Sequence, residues 1–236
     1  MTRTAKQRLI AMMLALVASG CGGGGGGGQS GPNIDPANFV AQSTNPYFAL
    51  TPGTVFTFNA QTDGVPQTIT VTVTRDTKMI LGVPITVVHD VVTQGGQVAE
   101  DTFDWYAQDK DGNVWYFGED TKAFDNGQVS TEGSWEAGVH GAQPGIIMEA
   151  HPQVGDAYRQ EFSRGVAQDR AQVLSLNESA TVPYGSFQNC LKTKEFSDLE
   201  PGIVENKVYC LNVGQVSATT VQGGTDFEML VSITHE

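Results

Sequence analysis

The chain of 236 residues carries 26 acidic against 13 basic side chains, a formal net charge of −13. A surface this acidic repels phosphate backbones, which excludes nucleic acid as a partner. It fits solubility at a surface, cation binding or a basic partner, and most simply a solvated exterior.

The first twenty residues read as an export signal. Arg3, Lys6 and Arg8 form a positive start, and Leu9 to Ala18 form an apolar run too short to span a bilayer. Ala18-Ser19-Gly20-Cys21 follows directly and resembles the lipobox of bacterial lipoproteins, in which the cysteine is acylated and becomes the new N-terminus. Cys21 is therefore the expected lipidation site and the membrane the expected partner. Removing residues 1–20 leaves 10 basic against 26 acidic residues, a charge near −16. Gly22 to Gly28, then Gln29 to Asn33, make a flexible tether that lets a domain stand off the membrane. Gly22 is not the Asp that typically retains such proteins at the inner membrane, so in a Gram-negative host the outer membrane is the expected address. The chain divides into 1–20 signal, 21–38 lipidated cysteine and tether, and 39–236 β-rich domain.

From Phe39 onward the pattern is that of strands, with only a short turn near Asp35 to Val40. Thr54 to Asn59 alternates, and Gln67 to Thr74 places Ile69, Val71 and Val73 on one face. Met79 to Leu81 and Ile85 to Val92 continue the run, punctuated by Gly82 and Gly95-Gly96. The segment Asp101 to Phe124 is the densest in aromatic residues and holds two of the three tryptophans. Its turn is Asp109-Lys110-Asp111-Gly112-Asn113, with Gly112 free to take a positive φ. Pairing outward sets Ala107 against Trp115 and Trp105 against Phe117 on one face, with Tyr106 opposite Tyr116 on the other. Aromatic side chains on both faces mean that protein covers both, or that one is open to a ligand. Further strands are expected near Trp135, Ile146 to Met148, Ala157 to Phe162, Ala167 to Leu176, Phe187 to Phe196, Val204 to Leu211, Gln215 to Val221 and Phe227 to Ile233.

Cys190 and Cys210 are the only cysteines after Cys21. An even pair in an exported protein reads as a disulfide, and a hairpin centred on Glu200 puts the two directly opposite. Two halves also echo each other, approximately 46–137 and 146–233. The Val83-Pro84 and Val182-Pro183 turns correspond, as do the strands beginning at Glu100 and Glu205. The fold expected is all-β: an antiparallel β-meander forming a large curved sheet, an open barrel or a sandwich, with two tandem pseudo-repeats.

Val182-Pro183-Tyr184-Gly185-Ser186-Phe187 and Tyr209-Cys210-Leu211-Asn212-Val213-Gly214-Gln215-Val216 resemble the "VPAGTF" and "WYAPGVGLV" patterns of uncharacterised bacterial envelope lipoproteins with antiparallel β domains. The aromatic hairpin resembles a segment of such lipoproteins too. The resemblance implies a fold and an envelope location, and no activity.

No nucleophile elbow, metalloprotease helix, Cys-Xaa-Xaa-Cys or P-loop occurs in the sequence. His140 and His151 bracket a Gly/Pro-rich loop beside Met148 and Glu149, in a spacing that matches no metal motif. The hairpin register gathers Asp101, Asp104, Glu119 and Asp120 at its open end. Such a cluster offers a candidate Ca²⁺ site beside the reading as a solvated rim. Trp105, Tyr106, Trp115 and Tyr116 are candidates for a ligand platform, since aromatic rings stack on apolar sugar faces. The function expected is a non-catalytic binding or structural module of the cell envelope, taking a cation, a glycan or an envelope protein and needing no cofactor other than Ca²⁺. The alternative is a glycan-directed hydrolase using paired carboxylates.

Overall fold

The computed structural model describes residues 32–40 and 42–236. The signal, Cys21 and the glycine run lie outside the described residues. A 3₁₀ turn, Pro36–Asn38, is capped by the Asp35 carboxylate, which accepts from the Ala37 N–H. The strands then run β1 Phe39–Val40, β2 Thr54–Thr62, β3 Val65–Ile80, β4 Val83–Gln94, β5 Gln97–Asp109 and β6 Val114–Asp125. Five short ones follow: β7 Gln128–Ser130, β8 Trp135–Glu136, β9 Gln143–Met148, β10 Ala157–Arg159 and β11 Glu161–Phe162. A second meander closes the chain: β12 Asp169–Val182, β13 Gly185–Ser197, β14 Val204–Cys210, β15 Gly214–Gln222 and β16 Phe227–His235.

Local chemistry explains the hairpins. The loops Asp63-Gly64, Leu81-Gly82 and Gly95-Gly96 each hold both residues at positive φ. That is the two-residue geometry whose twist suits antiparallel strands. Neighbouring strands then pair in sequence order within each meander, and β16 pairs with β2 to join them. The expected all-β antiparallel fold is what forms, as one sheet curled into a nearly closed barrel.

Closure falls on a single segment. β10 pairs with β12 at one end of the sheet, and β11 pairs with β9 at the other. Only Gln160 separates β10 from β11, and its N–H donates to the Asp169 carbonyl at 2.9 Å. Gly145 on β9 lies so near that a Cβ there would sit 2.4 Å from the Arg159 carbonyl oxygen, so this seam has no room for a side chain.

Residues 43–50 close one end of the barrel. The Gln108 Oε1 accepts from Ser43 Oγ and from the N–H groups of Thr44 and Asn45, at 3.2, 2.7 and 2.8 Å. Asn45 Nδ2 donates to the carbonyls of Gly112 and Glu149, and the Asn212 N–H donates to Pro46. The loop is thus fixed to three strand ends at once, with Phe48 and Leu50 carried into the barrel.

Cys190 and Cys210 form the expected disulfide, with Cα atoms 4.4 Å apart. The β13–β14 register pairs Leu191 with Tyr209, which is the hairpin centred on Glu200. The last residues assigned to the tether are docked rather than free. Ile34 packs on the barrel together with Phe39, because the outer face beneath them is apolar.

Candidate functional site

The aromatic hairpin carries a correction to its expected register. Ala107–Trp115 and Tyr106–Tyr116 pair as the turn chemistry predicts, but a bulge at Phe117 shifts the rest by one residue. Trp105 faces Gly118, Asp104 faces Glu119, Phe103 faces Asp120 and Thr102 faces Thr121. The cause is Gly118. It holds φ at +129°, and a Cβ there would lie 2.2 Å from the Trp135 carbonyl oxygen, so β8 approaches the β6 backbone at a point where no side chain stands.

The hairpin faces divide cleanly. Trp105, 8% exposed, and Trp115 lie against the N-terminal segment, where the Phe39 ring packs edge-on to Trp115 at 6.2 Å and Phe117 at 5.6 Å. The Lys78 ammonium sits 3.3 Å from the Trp105 ring centre and pairs with Glu136 at 2.7 Å. Tyr106 and Tyr116 stack on the opposite face at 4.9 Å and line the barrel interior. The four candidate platform residues therefore do not form one surface: the tryptophans serve packing, and the tyrosines face a cavity.

The four candidate calcium ligands part in the same way. Asp104 and Glu119 are direct cross-strand neighbours inside the barrel. Asp101 is outside, where its Oδ1 meets His89 Nε2 at 3.0 Å and that imidazole stacks on Phe103. Asp120 is exposed beside Phe103. The set does not gather at one point, because positions an odd number apart on a strand point to opposite faces. Among the described residues no group of three His, Cys, Asp or Glu side chains is placed to hold a metal ion. His140 and His151 are exposed.

The cavity occupies about 350 Å³, within the range of small-molecule sites. One wall is apolar: Phe56 and Phe58 on β2, Ile69 and Val71 on β3, Val88 and Val92 on β4. The other is acidic. Among the described residues, twelve carboxylates line the cavity with one lysine, Lys207, and no arginine or histidine. Three of the acids, Asp63, Glu200 and Asp226, belong to the loops and turns at the end opposite residues 43–50.

Hydrogen bonds fix most of the acidic wall. Tyr116 OH donates to Asp104 at 2.6 Å, Trp135 Nε1 to Glu161 at 3.1 Å and Gln215 Nε2 to Glu228 at 2.7 Å. Lys207 Nζ lies 2.9 Å from Glu195 and 3.6 Å from Glu205. Tyr209 OH and Thr193 Oγ1 both donate to the same Glu195 oxygen, Oε1. Of the five enclosed side-chain atoms without a hydrogen-bond partner among the described residues, two belong to this cavity. Asp90 Oδ1 is enclosed and accepts nothing, and Gln160, 3% exposed, has a free Nε2. Both side chains line the cavity.

Burial sets the ionisation of this wall, because a low-dielectric site disfavours charge. It pushes Glu100 up to about 7 against a hydrogen bond from Thr102, and Asp104 up to about 6 against the one from Tyr116. Asp169 rises to about 6 and Glu205 to about 7, again chiefly through burial. Asp90 and Glu119 are pushed well above the usual carboxylate range by burial and then by the charge of Asp104. Burial alone would lower the Lys207 ammonium, but Glu195, Tyr209 and Glu205 together hold it well above its ordinary value.

No protein-family model matches this sequence, and no curated protein matches it either. Two solved structures are similar. One, from Bacteroides fragilis and described as an exported protein with a YmcC-like fold, is 14% identical, covers 78% of this chain and 96% of its own, and gives a TM-score of 0.47. The other, described as a lipoprotein from Parabacteroides distasonis, is 12% identical, covers 82% of this chain and 100% of its own, and gives 0.48.

Proposed function

We propose that the protein is a lipid-anchored cell-envelope protein that binds a ligand inside its barrel without transforming it. The observation that carries the reading is the cavity: one apolar wall facing one acidic wall, plugged at one end by residues 43–50. A core built only for stability would fill that space, since interiors pack to crystal density. Support for the location comes from the signal ahead of Cys21 and from the Cys190–Cys210 disulfide, which belongs to an oxidising compartment. Gly22 after the cysteine favours the outer membrane. Lipidation is tested by labelled palmitate, which enters the wild type and not Cys21→Ser; equal labelling ends that part. Binding is tested by native mass spectrometry of the full chain released from membranes. The wild type carries a small-molecule adduct, and Val71→Trp, which fills the cavity, folds but carries none. A wild type free of adduct in every preparation argues against the reading.

A second reading, a glycan hydrolase, draws on one observation: Asp104 and Glu119 stand side by side, with Asp104 pushed up to about 6. General-acid chemistry uses raised carboxyls of this kind. Turnover of envelope glycans by the wild type, lost in Asp104→Asn and Glu119→Gln, would favour it over simple binding.

A further inference from the structure

We infer that the ligand of this cavity is a small organic cation, a primary ammonium group on an apolar body, with Asp90 as its charge partner. The inference rests on the ligand-binding reading and names the chemistry of what is bound.

The position of Asp90 is the starting point. On β4 it is flanked two residues away on either side by Val88 and Val92, and across the ladders it pairs with Val71 on β3 and Thr102 on β5. It stands where the apolar wall meets the acidic one. An ammonium group at Asp90 would leave its apolar body lying on Val71, Ile69 and Phe58, with nothing polar to displace. Asp90 Oδ1 is enclosed and accepts no hydrogen bond, although a buried polar atom without a partner is costly. A cationic donor supplies the strongest kind of partner for it.

Charge excludes the other amphiphiles. Among the described residues twelve carboxyl groups line the interior against one lysine, and Lys207 is already engaged by Glu195 and Glu205, so an incoming cation finds acids to ionise and an incoming anion finds no free cation. A fatty acid or phosphate ester would bring its negative head beside the acidic wall, where no free cation among the described residues meets it, although the apolar wall alone would suit it. A metal ion needs several oxygens converging on one point, and among the described residues none do so in threes. An organic cation needs one close carboxylate and a negative surrounding. Gln160 Nε2, free at the barrel seam, offers a donor to any hydroxyl or carbonyl oxygen the ligand carries.

The test uses the full lipidated chain in phosphatidylcholine nanodiscs and four probes: n-hexylammonium, hexanoate, 1-hexanol and calcium chloride. The expected result is a saturable rise in melting temperature with hexylammonium alone. Asp90→Asn weakens that response about tenfold, the worth of one charge-assisted hydrogen bond, and the outer-face variant Asp120→Asn leaves it unchanged. Val71→Trp, which fills the apolar side, removes it. Hexanoate or hexanol stabilising as well as hexylammonium, with loss in Val71→Trp, overturns the cation class while leaving ligand binding standing. Calcium acting through Asp90 in place of hexylammonium overturns the organic ligand. A hexylammonium effect unchanged in Asp90→Asn overturns the charge partner. No effect from any probe overturns the cation inference, while the reading beneath it stands or falls by the adduct seen in native mass spectrometry.

Discussion

Lys207 places its Nζ 2.9 Å from Glu195 Oε2, and that pair is the pivot of an interior otherwise lined by acids. Lys207 is flanked by Glu205 on its own strand, and Glu195 also accepts from Thr193 and Tyr209. Such an arrangement costs much to desolvate and more to break. Lys207→Met should therefore destabilise the fold by about 3–5 kcal/mol, because Glu195 and Glu205 keep their burial and lose their cation. Urea unfolding checks it. Adding Glu195→Gln should recover part of the loss, and a double variant no better than the single one would mean that the lysine acts by packing alone.

The raised carboxylates fix how stability depends on pH. Glu100 and Glu205 titrate at about 7 in the fold, and Asp104 and Asp169 at about 6. In the unfolded chain all four titrate near 4. Between those limits the native state holds more protons than the unfolded one, so stability falls as pH rises from about 4 to about 7. Glu100 alone contributes about 3 kcal/mol of this slope. The melting temperature should be higher at pH 5 than at pH 8, and Glu100→Gln should raise it at pH 8 with little change at pH 5. A melting temperature that climbs steadily from pH 5 to pH 8 contradicts this assignment.

What the sequence shows of this site has a physical limit. Period-two alternation separates the faces of a strand but does not say which face is inside. Gln67 to Thr74 reads correctly, because Ile69 and Val71 line the interior as an apolar face is expected to. On Glu100 to Ala107 the apolar face is the outer one. The acids Glu100 and Asp104 point inward, while Trp105 and Ala107 point outward beneath Ile34 and Phe39. The apolar face was covered by a segment that looked like the end of a tether. One part was legible in advance: Asp101 and Asp104 are three residues apart and could never share a face of a regular strand. The bulge at Phe117 was not legible, because its cause is the approach of the Trp135 carbonyl, which lies across a loop.

The disulfide was legible because both turn and spacing lay within one hairpin. It closes a loop of twenty residues at the β13–β14 pair. Cys190→Ser with Cys210→Ser should cost roughly 2–4 kcal/mol, mostly by freeing the unfolded chain. Denaturant melts with and without reductant measure it, and the double variant should be insensitive to reductant. If reduction leaves the wild type unchanged, the bridge adds no stability.

Gly118 joins the hairpin to the cavity, and its substitution should be severe. It holds φ at +129°, outside the range an L side chain adopts easily. A Cβ would also sit 2.2 Å from the Trp135 carbonyl oxygen and 3.0 Å from the Glu136 Cα, both backbone atoms. Backbone cannot yield as a side-chain tip does, so β8 must move away from β6. That movement withdraws Trp135 from Tyr116, where the rings meet edge-on at 5.5 Å, and from Glu161, to which its indole donates. Gly118→Ala should thus lose about 2–4 kcal/mol of stability, combining conformational strain with overpacking. It should also expose Trp135, seen as a red shift of its fluorescence at temperatures where the barrel remains folded. Trp105 pairs directly with Gly118, so Trp135→Phe separates the two reporters: in that background the shift should shrink to what Trp105 alone contributes. A Gly118→Ala protein with wild-type stability and emission would show that β8 packs on β6 less tightly than this geometry requires.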